Sequence, residues 1–476
     1  MRDLTSGSIL RHLLLMTLFL MASMLVQSLY FLADLYWVGR LGREAIAAVG
    51  LAANVLLMVL ASTQALGVGT TALVARAVGQ RDRHRANLFF NQTLSLSIFC
   101  AAACLVIGEL FYSPYVRWLA ADASTQEAGR LYLRWFVPAL ALQYPLIVTG
   151  AALRGSGIVR PTMVILAISV VLNLVLAPIL IFGWGTGWPL GISGAAIATL
   201  IAVMSGGMML GAYVARGQRY LRVEVSRWNP APAIWREVIA IGLPAGAELG
   251  VLAVYLFLVY VLLRPFGAAA QGGFAVGARI GQSLILPAVA LAMAAAPLVG
   301  QNYGAGDPGR IRRTFSTAVI VAVVLMTGMM LIVRSFATPM VALFTRDDLV
   351  AAVAVGYLRI LALTFVATAL IFAAVGIFQG LGRTILPFVS SVVRLAVFLV
   401  PAFTLFRGSA SSLTVLWAIS AVSIAIQAAL NVFFVTVELR TVDSSLAVAR
   451  SGRSTEHEQI SSGSGRKTAP HVHKHT

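Results

Sequence analysis

Asp34 is an acidic side chain inside a long apolar run. The segment from Leu13 to Val38 reads LLLMTLFLMASMLVQSLYFLADLYWV and contains no other charge. A carboxylate in hydrocarbon costs several kcal/mol, so such residues usually face a cavity and carry ions or protons. Asp34 is therefore the first candidate for ion coupling.

The neighbours of Asp34 indicate the kind of ligand it would meet. On a helix, four polar or aromatic residues share its face: Gln27, Tyr30, Phe31 and Trp37. Such a stripe around an acid suits an aromatic cation, so these four are the predicted substrate-binding residues. The competing interpretation is an ion pair between Asp34 and an arginine such as Arg40.

Two further polar residues in apolar runs are candidates for ion coupling. Glu248 follows GLPAGA, and either a structural hydrogen bond or a transport role fits it. Asn173, in VVLNLVLAP, could donate a hydrogen bond to the Asp34 carboxylate across a helix bundle, or serve helix packing alone. Glu109 and Glu438 lie near the ends of apolar runs, where a charged side chain reaches the interface at little cost.

The composition is that of a membrane protein with many spans. Of the 476 residues 59% are hydrophobic and only 11% are charged, and the mean hydropathy is +0.89; soluble domains carry about 25% charged residues. The net charge of +18 comes from arginines between apolar runs and in the tail. Positively charged cytoplasmic loops explain this excess, and no soluble basic domain suggests a nucleic-acid partner.

About 20 apolar residues cross a bilayer, which predicts an all-α protein with twelve transmembrane helices. These lie near 12–38, 45–75, 86–111, 127–150, 158–183, 190–214, 236–263, 267–300, 312–335, 351–378, 385–406 and 412–438. The first run is interpreted as a retained span because no cleavage signal follows it. The arginine-rich loops then lie on one side of the membrane, and the positive-inside rule places that side and both termini in the cytoplasm. The expected location is the plasma or inner membrane of the cell.

The two halves of the chain repeat at a shift of 225 residues. GQRDRHR at 79–85 aligns with GAGDPGR at 304–310, and the same shift pairs Gly155 with Gly380 and Gly42 with Gly267. Each half holds six spans, so the halves have the same orientation, as in two-lobed transporters that work by rocking. The predicted units are an N-lobe at 1–214, a cytoplasmic linker at 215–235, a C-lobe at 236–438 and a disordered basic tail at 439–476.

Several function classes fit poorly. None of the six histidines lies well inside a span, so a membrane-embedded metalloenzyme lacks its usual ligands, and no P-loop is present. Neither an enzyme activity, a bound cofactor nor a metal site is expected, and the tail histidines His471, His473 and His475 are interpreted as solvated. The sequence contains no signal for an oligomer.

Taken together, the motifs resemble the multidrug and toxic compound extrusion (MATE) family from about residue 10 to 438. The resemblance rests on YFLADLYWVGRLGREAIAAVGLA, GVGTTALVARAVGQRD, ALRGSGIVRPTM, VLNLVLAPILIFG, LGISGAAIAT, IGLPAGAE and PLVGQNYGAGD, in this order. It implies two six-helix lobes around a V-shaped, outward-opening cavity, and export of cationic and aromatic drugs in exchange for protons or sodium ions. It also implies that Asp34 is the coupling residue of the N-lobe, with Asn173 as the family's nearby asparagine.

Three departures refine what the resemblance implies. Many members have a second acid four residues after the asparagine, where this chain has Ala177, and this loss of an oxygen ligand favours protons over sodium. Thr368 stands where some members carry an aspartate in the tenth helix, which makes the chain more similar to the DinF-like branch. The first helix has no proline, since the repeat pairs Phe19 with Pro244, so the bending of that helix on protonation that is proposed for relatives does not carry over from the resemblance.

The predicted function is export of lipophilic and aromatic cationic compounds in exchange for protons, with sodium coupling as an alternative. The alternative from the same superfamily is a flippase for a lipid-linked saccharide, whose cavity would carry several arginines. Here the arginines lie almost entirely at loops, with Arg394 as the exception. The repeat places Val259 opposite Asp34, so coupling is expected to be concentrated in the first half.

Overall fold

The computed structural model describes residues 3–185, 187–216, 220–405 and 412–463, with the side chains of 30, 31, 405 and 445–463 left out. The N-terminal half consists of α1 (Ile9–Gly39), α2 (Arg43–Gly79), α3 (Arg83–Leu119), α4 (Ala123–Gly155), α5 (Arg160–Phe182) and α6 (Ile192–Ala215). The second half consists of α7 (Pro232–Leu263), α8 (Gly267–Gly304), α9 (Pro308–Ala342), α10 (Asp348–Leu363), α11 (Phe365–Leu381), α12 (Ile385–Leu405) and α13 (Leu413–Gly463). No strand occurs within these described ranges, which confirms an all-α polytopic membrane protein.

Within the described residues, ten segments are long and apolar enough to cross a membrane, and the bent pair of α10 and α11 makes eleven. One of these segments, Pro232–Gly304, contains α7 and α8, separated by a short 3₁₀ turn at Arg264–Phe266. Since α7 and α8 have 32 and 38 residues, each is long enough to cross a bilayer alone, which gives twelve spans. The predicted tenth span at 351–378 is not one continuous helix, because α10 and α11 meet at Thr364 with a bend of 56°. The Thr364 hydroxyl donates to the Leu361 carbonyl at 2.7 Å, and such back-bonding bends helices. The other predicted spans are confirmed as helices; α2, α3, α4 and α9 extend beyond the predicted bounds, whereas α5 and α12 are one to three residues shorter.

The sequence repeat corresponds to the same local structure at the start of α3 and at the start of α9. Asp82 caps α3 by accepting from the Arg85 amide at 2.8 Å, and Asp307 caps α9 by accepting from the Arg310 amide at 3.0 Å. The residue before each aspartate has positive φ, at Arg81 and at Gly306. The aligned motifs therefore encode the same helix–turn–helix connection in both halves, with a side-chain cap at the same position.

Packing between helices repeats at the same shift. Gly155 of α4 lies against Thr71 and Val74 of α2, and Gly380 of α11 lies against Ala296 and Val299 of α8. Each member of the first set differs from its counterpart by 225 residues. The two six-span lobes are therefore built alike, as the sequence predicts.

The lobes meet where α2 and α8 end, close to the arginines Arg76, Arg83, Arg310 and Arg313; we call this the arginine-rich end. A Cβ atom on Gly79 would overlap the carbonyl of Gln301, and one on Gly304 would overlap the carbonyl of Arg76. The two contacts are exchanged by the 225-residue shift, so they lie about the pseudo-twofold axis. The backbones of α2 and α7 also touch, since a Cβ on Gly242 would overlap the Ala65 carbonyl. Only glycine permits such close approach.

The segment before α1 links the two lobes at this end. Leu4 is fully buried, and its amide donates to Gln301 Oε1 at 3.1 Å. Gln301 Nε2 donates to the Gly155 carbonyl of the N-lobe at 2.9 Å, while Arg310 donates to the carbonyls of Leu4 and Gly7. One glutamine thus connects the N-terminal segment, α4 and α8.

Replacing this glutamine should be costly. Gln301→Ala leaves the Leu4 amide and the Gly155 carbonyl without their partner, and each unsatisfied buried group costs about 1–3 kcal/mol. We expect a lower temperature of thermal unfolding in detergent. Gln80→Ala, at an exposed position at the end of α2, is the control and should unfold like the wild type. Equal unfolding temperatures for the two variants would contradict this role.

The predicted linker and tail differ from simple loops. Side chains of α3 hold the linker: Asn91 Nδ2 donates to the Arg222 carbonyl at 2.8 Å, and Gln92 Nε2 donates to the Arg227 carbonyl at 2.6 Å.

The prediction of disorder from residue 439 is wrong for the backbone of 439–463, because α13 continues to Gly463. This segment contains no proline. Its first residues are compatible with a helix, so they extend the helix of the last span; they read LRTVDSSLAVA. His471, His473 and His475 lie outside the described residues.

Candidate functional site

Asp34 lies five residues before the end of α1, about 8 Å from that end. Its Oδ1 is buried and has no hydrogen-bond partner among the residues that the structure describes. The Nε1 of Trp37, one turn further along, is also buried and unpaired within the same part of the chain. Burial of unpaired polar atoms is costly, so two such atoms on consecutive turns mark a place where a ligand or proton can bind.

Arg40 does not neutralise Asp34. Its guanidinium carbon lies 5.6 Å from the ring centroid of Tyr36 and 6.0 Å from that of Trp37, beyond the end of the helix. The ion pairs found among the described residues do not include Asp34. The interpretation of Asp34 as one half of a structural ion pair is therefore wrong.

The structure describes only some of the side chains of the predicted aromatic stripe. Gln27 is exposed, and the side chains of Tyr30 and Phe31 lie outside the described residues. Trp37 packs edge-on against Phe182 and Trp184, with ring centroids at 6.1 and 5.6 Å. Trp37 therefore joins an aromatic cluster between α1 and the end of α5, directly beyond Asp34.

Asn173 bonds within the N-lobe, but not to Asp34. Its Nδ2 donates to Thr199 Oγ1 of α6 at 3.2 Å, and the asparagine is 2% exposed. The contact of Trp37 with Phe182 aligns α1 and α5, which run in the same direction. Because Asp34 lies three residues before Trp37 and Asn173 nine before Phe182, their levels differ by about 9 Å. The predicted hydrogen bond from Asn173 to Asp34 is absent in this structure for that reason.

Ala177 lies closer to the level of the acid. It is buried and stands five residues before Phe182, within about 3 Å of the level of Asp34 along the helix axes. A methyl group therefore stands near the level of Asp34 on a neighbouring helix, where many relatives are expected to carry an acid.

Glu248 lies in the other lobe. It is half-buried near the middle of α7, on the face that also carries Tyr255, two turns further along. That face packs against the C-lobe, where Tyr255 contacts Phe398 at a ring distance of 5.0 Å. The three predicted ion-coupling residues are therefore not one cluster.

The lining of a small cavity between the lobes was not predicted from the sequence. It is formed by Gln64, Gly67, Val68, Thr71, Arg154, Met293, Ala296 and Gln379. Arg154, beyond the predicted end of the fourth span at residue 150, lies in the last turn of α4 and lines this cavity. The 225-residue shift pairs Arg154 with Gln379 and Thr71 with Ala296, so applying the repeat to side chains as well as glycines would have found it.

The fold and these sites define a class: an α-helical membrane transporter of two similar six-span lobes, with a buried acid in one lobe and a cavity between them. The MatE family model matches residues 20–179 and again 244–404, one match in each lobe. The chain belongs to this family of membrane transporters, and it is not an enzyme.

Similar proteins include transporters that are named for different functions. A FAD transporter of Shewanella oneidensis is 27% identical over 66% of this chain and 70% of its own length. A probable multidrug resistance protein, NorM of Thermotoga maritima, is 23% identical over 81% of this chain and 83% of its own. A solved MOP superfamily transporter from Pyrococcus furiosus superposes with a TM-score of 0.85 at 24% identity, covering 92% of this chain and 98% of that one.

Proposed function

We propose that this protein exports lipophilic and aromatic cationic compounds across the plasma or inner membrane in exchange for protons. The observation that carries the proposal is the buried Asp34 Oδ1, which has no partner among the described residues. An ionised carboxylate without a partner is unfavourable in this environment. Asp34 therefore needs either a bound proton or a bound cation, and the two exclude each other.

Three features favour a proton over a sodium ion as the coupling ion. Hard metal cations need several oxygen ligands around them. Asn173 lies about 9 Å from the level of Asp34 along the helix axes, and residue 177 near the level of Asp34 is an alanine. A single carboxyl group is sufficient for a proton.

The proposed cycle uses the two lobes as rocking units. Positive loops indicate that the arginine-rich end is cytoplasmic, and the backbone contacts at Gly79 and Gly304 close the lobes there. Asp34 lies towards the opposite end of α1, where it would meet the outer solution in this state. Protonation from outside removes its charge, and the cation then leaves. After the lobes rock, deprotonation towards the cytoplasm prepares the site for the next cation.

The transport experiment uses inverted membrane vesicles and a fluorescent lipophilic cation such as ethidium. We expect accumulation driven by a proton gradient, collapse of that accumulation by a protonophore, and no accumulation driven by a sodium gradient alone. Accumulation driven by sodium at zero proton gradient would overturn the assignment of the coupling ion. Absence of transport with either gradient would overturn the proposed function.

Ala177→Asp should change the ion preference. The new carboxylate adds oxygen ligands near the level of Asp34, so we expect a sodium gradient to drive cation accumulation in this variant. Val175→Asp, on an exposed face of α5, adds the same charge away from the site and should not create sodium-driven transport. Sodium-independent transport by Ala177→Asp at the wild-type rate would contradict the placement of residue 177 in the ion site.

A further inference from the structure

Arg154 is a cation between the lobes that the proposed function does not use. Its side chain is half-buried and lines the small cavity between the lobes. The ion pairs of the described residues do not include it, and none of the carboxylates described lies within electrostatic reach of it. A charged residue without compensation at membrane depth is costly and usually marks a pathway or a binding site.

The cavity lies well inside the membrane-spanning part of the molecule. Its walls include Thr71 of α2 and Ala296 of α8. Each stands eight residues before the glycine that contacts the other lobe, Gly79 in α2 and Gly304 in α8. Eight helical residues span about 12 Å. The contacts between the lobes therefore lie between this cavity and the arginine-rich end.

The polar side chains of the lining are rich in hydrogen-bond donors. Arg154 carries five N–H donors on its guanidinium group, and the amides of Gln64 and Gln379 carry two each. Within the described part of the chain, these three side chains form no hydrogen bond to a protein group. The Thr71 hydroxyl already donates to the Ala151 carbonyl at 3.2 Å. Donors around a cationic group, without a carboxylate among the lining residues, suit an anion.

The size of the cavity limits which anion it accepts. It has room for about one water-sized particle. A halide ion is only slightly larger than a water molecule, and the flexible side chain of Met293 can adjust to the difference. A phosphate or carboxylate group, with several heavy atoms, is too large. The apolar walls at Val68 and Met293 also favour a weakly hydrated anion.

Both lobes contribute equivalent positions to this cavity. The 225-residue shift pairs Arg154 with Gln379 and Val68 with Met293, and all four residues line the same space. The cavity therefore lies about the pseudo-twofold axis, with the cation supplied by the N-lobe and an amide supplied by the C-lobe. An anion at this position contacts both lobes.

We propose that the small cavity between the lobes binds a halide ion such as chloride through Arg154, Gln64 and Gln379, and that the bound ion stabilises the contact of the lobes at the arginine-rich end. A ligand shifts a conformational equilibrium towards the state that it binds more tightly. Rocking of the lobes separates Arg154 from Gln379, so the ion favours the state in which they share one cavity. This site depends neither on Asp34 nor on the class of exported compound.

Chloride binding to the full-length protein in detergent is measured by the broadening of the chloride NMR signal. The protein is prepared in sodium gluconate, chloride is added, and bromide is used as the competitor. We expect saturable broadening that bromide reverses and that additional gluconate leaves in place. Broadening without saturation in the wild type, as from weak attraction to surface arginines, would overturn the proposal.

Variants separate the bound ion from the fold. Arg154→Gln should weaken chloride binding by about tenfold or more, the effect of one charge-assisted hydrogen bond, whereas Arg154→Lys should keep part of the affinity because the charge remains. Gln379→Ala should also weaken binding, since the site needs the C-lobe. Arg160→Gln removes an exposed charge at the start of α5 and should bind like the wild type.

Thermal unfolding in gluconate checks the fold of each variant. Arg154→Gln should unfold at the same temperature as the wild type or at a higher one, because it removes an uncompensated charge. A lower temperature would mean that Arg154 is satisfied by the protein itself, which contradicts the proposal. Wild-type affinity in folded Arg154→Gln, or an equal loss in Arg160→Gln, would show that Arg154 is not the anion site.

The effect of the ion on the lobes needs a distance measurement. Spin labels at the exposed Arg83 and Arg313 report the separation of the lobes at the arginine-rich end. Replacing gluconate by chloride should shift the wild-type distances to shorter values and leave those of Arg154→Gln unchanged. Identical wild-type distances in the two salts, at chloride concentrations that saturate the NMR signal, would overturn the link between the ion and the contact of the lobes.

Discussion

Asp34→Asn is expected to abolish proton-driven export of lipophilic cations while the protein remains folded. An amide cannot carry the charge that attracts the cation, and it cannot exchange a proton at physiological pH. Because the Asp34 Oδ1 is buried without a partner in the described structure, its replacement removes no hydrogen bond or ion pair. We therefore expect the unfolding temperature to equal or exceed that of the wild type, with vesicle accumulation of ethidium at the level of vesicles without the protein.

The matched control is Glu109→Gln. Glu109 is exposed on α3, and its replacement by glutamine removes the same charge from another membrane helix. It should transport like the wild type. Wild-type transport by Asp34→Asn would mean that the coupling residue lies elsewhere, and loss of transport in both variants would mean that the effect of Asp34→Asn is not specific to this site.

Gly79→Ala and Gly304→Ala are expected to open the contact between the lobes at the arginine-rich end. In each variant the added methyl group overlaps a backbone carbonyl of the other lobe, and a carbonyl cannot move aside as a flexible side chain can. Overpacking of this kind costs about 1–3 kcal/mol, which corresponds to a shift of roughly 5- to 150-fold in the equilibrium between closed and open states. Spin labels at the exposed Arg83 and Arg313 should report longer distances.

Replacing glycines that have open space around them controls for the effect of alanine on helix propensity alone. Gly207 and Gly211 of α6 have open space where a Cβ atom would lie. Alanine there should leave the label distances unchanged, and it should stabilise the helix by up to about 1 kcal/mol. If Gly79→Ala and Gly304→Ala give the same distances as the wild type, these contacts do not hold the lobes closed.

The architecture was predictable because membrane spans and the repeat are properties of the sequence itself. Apolar length locates each helix, and the aspartates that cap α3 and α9 are visible as Asp82 and Asp307 at a constant shift. The bend at Thr364 was not predictable from apolar length, since it depends on a threonine hydroxyl competing for a backbone carbonyl. The helical continuation after residue 438 was missed because polar composition was given more weight than the absence of helix breakers.

Individual site residues could be predicted from the sequence, but their positions relative to one another could not. The cost of a carboxyl in an apolar run identifies Asp34 without any structure. The partner of Asn173 depends on the axial offset between α1 and α5, which is set by the packing of Trp37 on Phe182 and Trp184. Arg154 was assigned to a loop because it stands beyond the end of an apolar run, whereas α4 continues to Gly155, which packs against Thr71 and Val74 of α2. Which end of a span faces a cavity is a tertiary property.

Competition between a proton and a cation for Asp34 is the central claim, and proton release on ligand binding tests it most directly. Tetraphenylphosphonium is added to the purified protein in weakly buffered detergent solution, and the pH change is recorded for the wild type and for Asp34→Asn. We predict release of up to about one proton for each cation bound by the wild type, and none from Asp34→Asn. Cation binding without proton release by the wild type, at every pH where it binds, would contradict the account.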